Sequence, residues 1–417
     1  MSVSVAFLIN DLQLSGGVGV VLEHARRLAA LDDFEVALVL AREQEDEAWR
    51  YDQLDGITVD DLATARDAQY DIAVATWWTT TYALFSLRAA RYVYFVQSLE
   101  DRFYHQHEAE RIPAGLTLGL PVAFITEAQW IAESISELRP DAQIQIVRNG
   151  IDKSVFASPP APAVSDGPLR VLVEGPLTSW FKHVPDALHA AARMTERSRV
   201  TLVTGDHDRA KGEPYDRLVG PVSHREMAQL YAETDVVLKL SSVEGMFGPP
   251  LEGMHMGATC VVTPVSGYDE YVRHGINALL CDWDDPRGTA RQLDLLARDR
   301  ELLHELRTGA LYTAAAWPSW EQQSGEMAAA LEAIAQAPAP DPTAAASAWL
   351  TDLRSGVEVN RVHLMQRAEF AIAASRMERI KALPVIAPLA RWWSQPSTQQ
   401  RYGPRIRGLM RKLLGRG

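Results

Sequence analysis

Twice along this chain, short runs of Val, Ile, Leu and Ala alternate with helical patterns. Such alternation leaves few solutions other than parallel sheets covered by helices on both faces. The first series predicts strands at 2–9, 35–40, 71–75, 92–96, 122–125 and 144–147. It stops at ASPPAPAVSDGP (157–168), a proline-rich stretch that reads as a linker. The second series predicts strands at 169–173, 200–204, 217–219, 236–240, 259–262 and 278–280, with helices over 287–307 and 319–335 to close it. A chain of 417 residues, 47% of them hydrophobic, can fill two such cores. The expected organisation is therefore α/β throughout, with one domain over 1–156, a second over 169–335 and an extension over 336–417. Ligands of paired parallel sheets bind at the carboxyl ends of the strands, which places a cleft between the domains.

The densest chemistry lies between residues 235 and 280. A strand (DVVLKL) leads into the loop SSVEGMFGPP, a short helix (LEGMHM) and another strand (TCVVTP). Two acids frame the loop, Glu244 and Glu252, with seven residues between them. Pro249 and Pro250 suit the first turn of a helix, where a missing N–H is harmless, and Gly248 lets a ligand approach the backbone. N–H groups near Phe247 and Gly248 would then face an anion at the positive end of the helix, while the carboxylates accept hydroxyl hydrogen bonds. A ligand with phosphates and many hydroxyls is a nucleotide sugar.

The residues also carry a family likeness. Glu244 and Glu252 at this spacing, followed by GATCVVTPVSGYDEYVRHGINALL, resemble the donor-site signature of the retaining glycosyltransferases of family 4, which have the GT-B fold of two Rossmann-like domains facing a cleft. SGGVGVVLEHARRLA near the N-terminus, VRNGID at 147–152, Lys182 in a strand-loop-helix unit and HREMAQLYAETDVVL extend the resemblance over roughly residues 2–335. It implies that Glu252 holds the ribose hydroxyls and that Glu244 lies by the transferred sugar. Lys182 would neutralise the leaving diphosphate. The loop at Gly175 would share that task, although Pro176 stands where the family usually has an arginine; Arg148 and His183 are the candidate substitutes. Gly17 would bring backbone amides to the cleft, and Val222, in Gly220-Pro221-Val222, would lie where the backbone reads the base. Gln97 stands where many members have a histidine that touches the donor sugar. Glu100, Asp101 and Tyr104 would lie beside it, either orienting sugar hydroxyls or forming a capped loop of structural residues.

The reaction implied is transfer with retention of anomeric configuration and without a metal or other cofactor. The leaving phosphate itself would take the proton of the incoming hydroxyl, so no strong protein base is required. The donor would be a UDP-, GDP- or dTDP-sugar and the acceptor a glycan or lipid-linked glycan. The version of the 92–104 segment found here resembles bacterial surface-polysaccharide enzymes, including rhamnosyltransferases. Two other classes share these features: a GT-B epimerase or hydrolase, which needs no acceptor, and an inactive binding or scaffold protein, for which Pro176 speaks.

Other readings are weaker. A dinucleotide fingerprint would need a third glycine where Leu22 stands and an acid at the end of the second strand, which reads Val39-Leu40-Ala41-Arg42. Asp206-His207-Asp208 and His105-Gln106-His107 read as loop residues and not as a metal site. The two cysteines, Cys260 and Cys281, sit in apolar strand patterns and are expected to be buried thiols. A net charge of −13 argues against a nucleic-acid partner. The opening MSVSVAFLIN enters a strand without a basic segment and no apolar run reaches spanning length, so a cytoplasmic location is expected. Residues 386–417 differ from the rest, carrying seven basic residues and no acid. From Pro404 onward, Ile406, Leu409, Met410, Leu413 and Leu414 would share one side of a helix opposite Arg405, Arg407, Arg411 and Lys412. That pattern suits an anionic membrane surface at the inner face, or else a helix packed on the acidic body.

Overall fold

The computed structural model describes residues 2–13, 15–42, 54, 57–159, 161–162 and 167–337, together with Trp349, Leu353 and Met365. Its first sheet contains β1 (Val3–Ile9), β2 (Phe34–Leu40), β3 (Thr58–Asp61), β4 (Gln69–Ala75), β5 (Arg88–Val96), β6 (Ala123–Thr126) and β7 (Ile144–Ile146). They run parallel in the order β3-β2-β1-β4-β5-β6-β7. The second sheet contains β8 (Leu169–Glu174), β9 (Ser198–Val203), β10 (Arg217–Val219), β11 (Val236–Lys239), β12 (Thr259–Val262) and β13 (Ala278–Leu280). It is also parallel, ordered β10-β9-β8-β11-β12-β13.

Burial on both faces explains the unbroken apolar runs. In β1, Ala6 and Leu8 enter one core while Val5, Phe7 and Ile9 enter the other, because successive side chains of a strand alternate. Every strand expected from the sequence is present. The unexpected one is β3, whose TVDD sequence at the sheet edge has no buried residue and so no apolar signature.

Two domain assignments require correction. The helix Trp320–Gln336 does not close the second domain; its Met327, Ala330, Leu331 and Ile334 pack with Phe7, Leu28 and Phe95 of the first. Amphipathic periodicity shows that a helix has a buried side, but not which sheet that side covers. At the other boundary, Ile151 and Phe156 already belong to the second core, so the chain leaves the first domain near Asn149 and Gly150 and not at residue 156. The run expected as one helix over 287–307 is two, Pro286–Arg298 and Arg300–Ala316, with the Asp299 side chain capping the second through Leu302 N–H.

The chain therefore crosses between domains twice, and the crossings touch. Ile151 bridges Ser319, and Trp317 Nε1 donates to Asn149 O (2.9 Å). A Cβ on Gly150 would lie 2.4 Å from both the nitrogen and Cα of Trp320, a separation only glycine permits. Farther on, Trp349 lies over Gly119 and Leu353 is buried in the first core. The basic segment 386–417 lies outside the described residues. Among those described, no helix is long and apolar enough to cross a membrane.

Candidate active site

Between β11 and the helix Gly248–His255 lies the acidic loop. Pro249 and Pro250 occupy the first turn of that helix, and the ring of Phe247 is fully buried before it. The Tyr271 hydroxyl donates to Phe247 O and pins the turn. Gly248 N–H already donates to Met246 O (3.0 Å), which corrects the expectation that it is free for a phosphate.

Glu244 is buried at the centre of a chain of charges. Its Oε2 accepts from Lys182 Nζ at 2.6 Å, and its Oε1 lies 3.8 Å from Lys239 Nζ. Lys239 in turn pairs with Glu174 at the end of β8. Burial by itself would push the Glu244 carboxyl up, but the ammoniums of Lys182 and Lys239 outweigh it and hold the group below the usual carboxylate range. The same attraction, against burial, raises Lys239 above the ordinary lysine value. Glu252, on the helix behind the loop, is pushed up by burial, with the opposing charge of His224 and the hydroxyl of Tyr231 nearby.

Lys182 ends the short turn Trp180–Lys182, and His183 after it adopts a left-handed conformation (φ 49°). The loop leaves β8 through Gly175 at φ +132°, a backbone region that favours glycine. Neither candidate substitute for the absent arginine joins the charge chain. Arg148 Nε pairs with Glu270, and His183 pairs with Asp186 and Ser242. Val222 is half-buried against the second core, while the neighbouring Gly220 backs onto His207.

The first domain meets this loop closely. Gln97, just past β5, donates from Nε2 to Thr76 O (3.3 Å), and a Cβ on Gly17 would lie 3.3 Å from its Oε1. Ser98 Oγ donates to Glu244 O (3.3 Å) and Trp130 Nε1 to Gly245 O (3.1 Å). Glu127 accepts Met246 N–H at 2.7 Å on one oxygen and Asn149 Nδ2 at 2.9 Å on the other. Burial raises this carboxyl to about 7 despite those two donors. A second contact flanks Lys182. Phe181 packs on Phe103 (5.0 Å between centroids) and Trp180 on His105 (4.3 Å), with Trp180 Nε1 donating to Phe103 O. A cavity of about 390 Å³ opens between the domains, among Arg102, Trp130, Ser134, Ser266 and Asp269.

Glu100 is not a sugar-facing acid. It is buried inside the first domain, where it accepts from Trp78 N–H (2.5 Å) and the Tyr94 hydroxyl (3.0 Å), and burial lifts it to about 8. Tyr104 likewise accepts from Trp78 Nε1. Three residues of the site escaped the sequence reading: Lys239, Glu174 and Glu127. A signal existed for the first, since a lysine inside the apolar run DVVLKL of a doubly covered strand must have a buried partner.

Comparison with known proteins gives a family model, distant relatives and structural neighbours. Residues 168–299 match the family model described as Glycosyl transferases group 1. A stretch of 192 residues is 28% identical to the N-acetyl-alpha-D-glucosaminyl L-malate synthase of Bacillus anthracis, covering 41% of this chain and 49% of the relative. The chain thus matches about half the length of that curated relative. Among solved structures, HepE of Anabaena in complex with UDP-glucose superposes with a TM-score of 0.63 at 16% identity, over 79% of this chain and 100% of HepE. The sucrose-phosphate synthase of Thermosynechococcus elongatus gives 0.62 at 14% identity, over 78% and 97%. The fold is GT-B. In GT-B terms the charge chain lies at the carboxyl ends of β8 and β11, and Gln97 and Glu127 face it from β5 and β6.

Proposed function

We propose that the protein is a glycosyltransferase that moves a sugar from a nucleotide-sugar donor to a glycan or lipid-linked glycan, with retention and without a metal, in the synthesis of a surface polysaccharide. The observation that carries this reading is the Lys182–Glu244 pair, with Glu252 one helix turn into the structure behind it. The three groups match the needs of a donor. The diphosphate attracts the ammonium of Lys182, the sugar hydroxyls reach the carboxylate of Glu244, and the ribose reaches Glu252. As the bond from the anomeric carbon to the phosphate breaks, the departing oxygen takes the proton of the acceptor hydroxyl on the same face. The negative charge of Glu244 favours the positive charge that develops on the sugar. HepE binds UDP-glucose, which makes UDP the first nucleotide to try.

The test is a binding and turnover panel of UDP-, GDP- and dTDP-sugars. One nucleotide should raise the melting temperature, product NMR should show the donor's anomeric configuration, and chelator should leave turnover within about twofold. Glu252→Ala should weaken the free nucleoside diphosphate by roughly tenfold, the scale of losing one charge-assisted pair of hydrogen bonds. Unchanged affinity in calorimetry would remove Glu252 from the donor site. Pro176 favours a second reading, a GT-B binding protein without activity. Binding without turnover on any acceptor would support it.

The tail gives the acceptor a location. Basic residues near an anionic surface gain about 1 kcal/mol each, and seven cations without an acid would hold the enzyme at the inner membrane face. Removing residues 396–417 should abolish sedimentation with anionic liposomes at low salt while activity on a soluble acceptor persists. Undiminished sedimentation would defeat the membrane proposal.

A further inference from the structure

Lys239 poses a physical problem that the donor reading leaves open. It is 3% exposed in the middle of the second sheet, and a single buried ion pair is seldom better than two apolar residues of the same volume. Yet this ammonium stands between two carboxylates, bonded to Glu174 and 3.8 Å from Glu244. Around it are Glu174 from the end of β8, Glu244 from the acidic loop, which Lys182 also meets, and Glu252 from the helix Gly248–His255, which in turn faces His224 and Tyr231 of the helix His224–Ala232. Two lysines thus face three carboxylates.

That balance changes when a diphosphate enters. Lys182 is engaged with Glu244 at 2.6 Å, and one ammonium cannot neutralise both a buried carboxylate and a dianionic phosphate. If Lys182 moved away, Glu244 would be left buried and uncompensated unless a second cation were in reach, and it would then take up a proton or hold Lys182 back. Lys239 is that second cation, and closing 3.8 Å to a direct bond requires only a shift of its flexible side chain.

We infer that Lys239 is a positioning residue that takes over the charge of Glu244 when Lys182 transfers to the donor diphosphate, so that the two lysines act as a relay. The inference rests on the glycosyltransferase reading and deepens it, since it assigns a role to a residue that need not touch the substrate. It also accounts for a diphosphate site with Pro176 in its loop: Lys182 becomes fully available because Glu244 no longer requires it.

The test measures nucleoside diphosphate binding and proton uptake together, by calorimetry near neutral pH in buffers of different ionisation enthalpy, with UDP, GDP and dTDP as probes. The variants are Lys239→Met and the paired change Glu174→Gln with Lys239→Met, which removes one positive and one negative charge and keeps the buried balance. The wild type should bind one of the three with little net proton uptake. Both variants should bind it roughly tenfold more weakly and take up close to one proton per nucleotide, as Glu244 loses its remaining cation. If the paired variant is folded, binds within about threefold of wild type and takes up no proton, Lys239 is only a packing element and the relay is wrong. If the wild type binds none of the three probes, the donor reading itself fails, a result distinct from the first.

Discussion

Gly245→Ala is expected to lower turnover by about a hundredfold while leaving both domains folded and the nucleotide bound. The added methyl would lie 1.8 Å from the carbonyl oxygen of Gln97 and 2.6 Å from Glu127 Oε1, inside the van der Waals radii of groups that belong to the other domain. Gly245 is not among the glycines at positive φ, so the obstacle to alanine is the contact with the other domain. The only remedy is to part the domains at this point. Parting them would separate Glu244 from Ser98 and Gln97, and displacement of a catalytic group by about 1 Å can lower a rate by about a hundredfold. Turnover should therefore fall by about two orders of magnitude, with nucleotide affinity within about threefold of wild type. Small-angle scattering should report a more open particle. Turnover within about threefold of wild type would show that contact of the acidic loop with the first domain is not needed for the reaction.

Lys182→Ala should also cost about a hundredfold or more in turnover, the scale of removing one preorganised electrostatic group, but with a different signature. On the proposed reading Lys182 would meet the leaving diphosphate, and it helps hold Glu244 ionised. A carboxyl whose folded pKa is depressed works as an anion above that value and fails as pH falls through it. Without Lys182, burial is opposed by Lys239 and the Ser241 hydroxyl, so the carboxyl rises and the acid limb of the pH–turnover curve should move toward neutrality. The residual rate of the variant is best followed across that limb. A loss smaller than about threefold, or an acid limb that does not move, would take Lys182 out of the centre of the site.

What the sequence disclosed depends on how local each cause is. The acidic loop was legible because Pro249, Pro250 and the spacing of Glu244 and Glu252 act within one turn of chain. The strands were legible because residues such as Val5 to Ile9 must be apolar on both faces. The clasp on the loop was not. Glu127 in AFITEAQW looks like an ordinary acid at a helix entrance, and its two partners, Met246 and Asn149, are distant in sequence or domain. Gly248 N–H was misread for a smaller reason: a tight turn supplied Met246 O as its acceptor. The helix Trp320–Gln336 was placed in the wrong core because the pattern of its buried side is the same for either neighbour.

That helix has a bearing on how the protein is made. The first domain precedes the second in the chain, yet part of its core is supplied by Met327, Leu331 and Ile334, which leave the ribosome only after the second sheet has been synthesised. At about 5–20 residues per second, the stretch from Gly150 to Trp320 takes roughly ten to thirty seconds. Throughout that interval Phe7, Leu28 and Phe95 wait with one side uncovered. The second domain, built from a continuous stretch, can complete first. Nascent chains of this protein should thus mature in the reverse of their order of synthesis, with the earliest strands dependent on the helix Trp320–Gln336 and exposed to chaperones until it arrives.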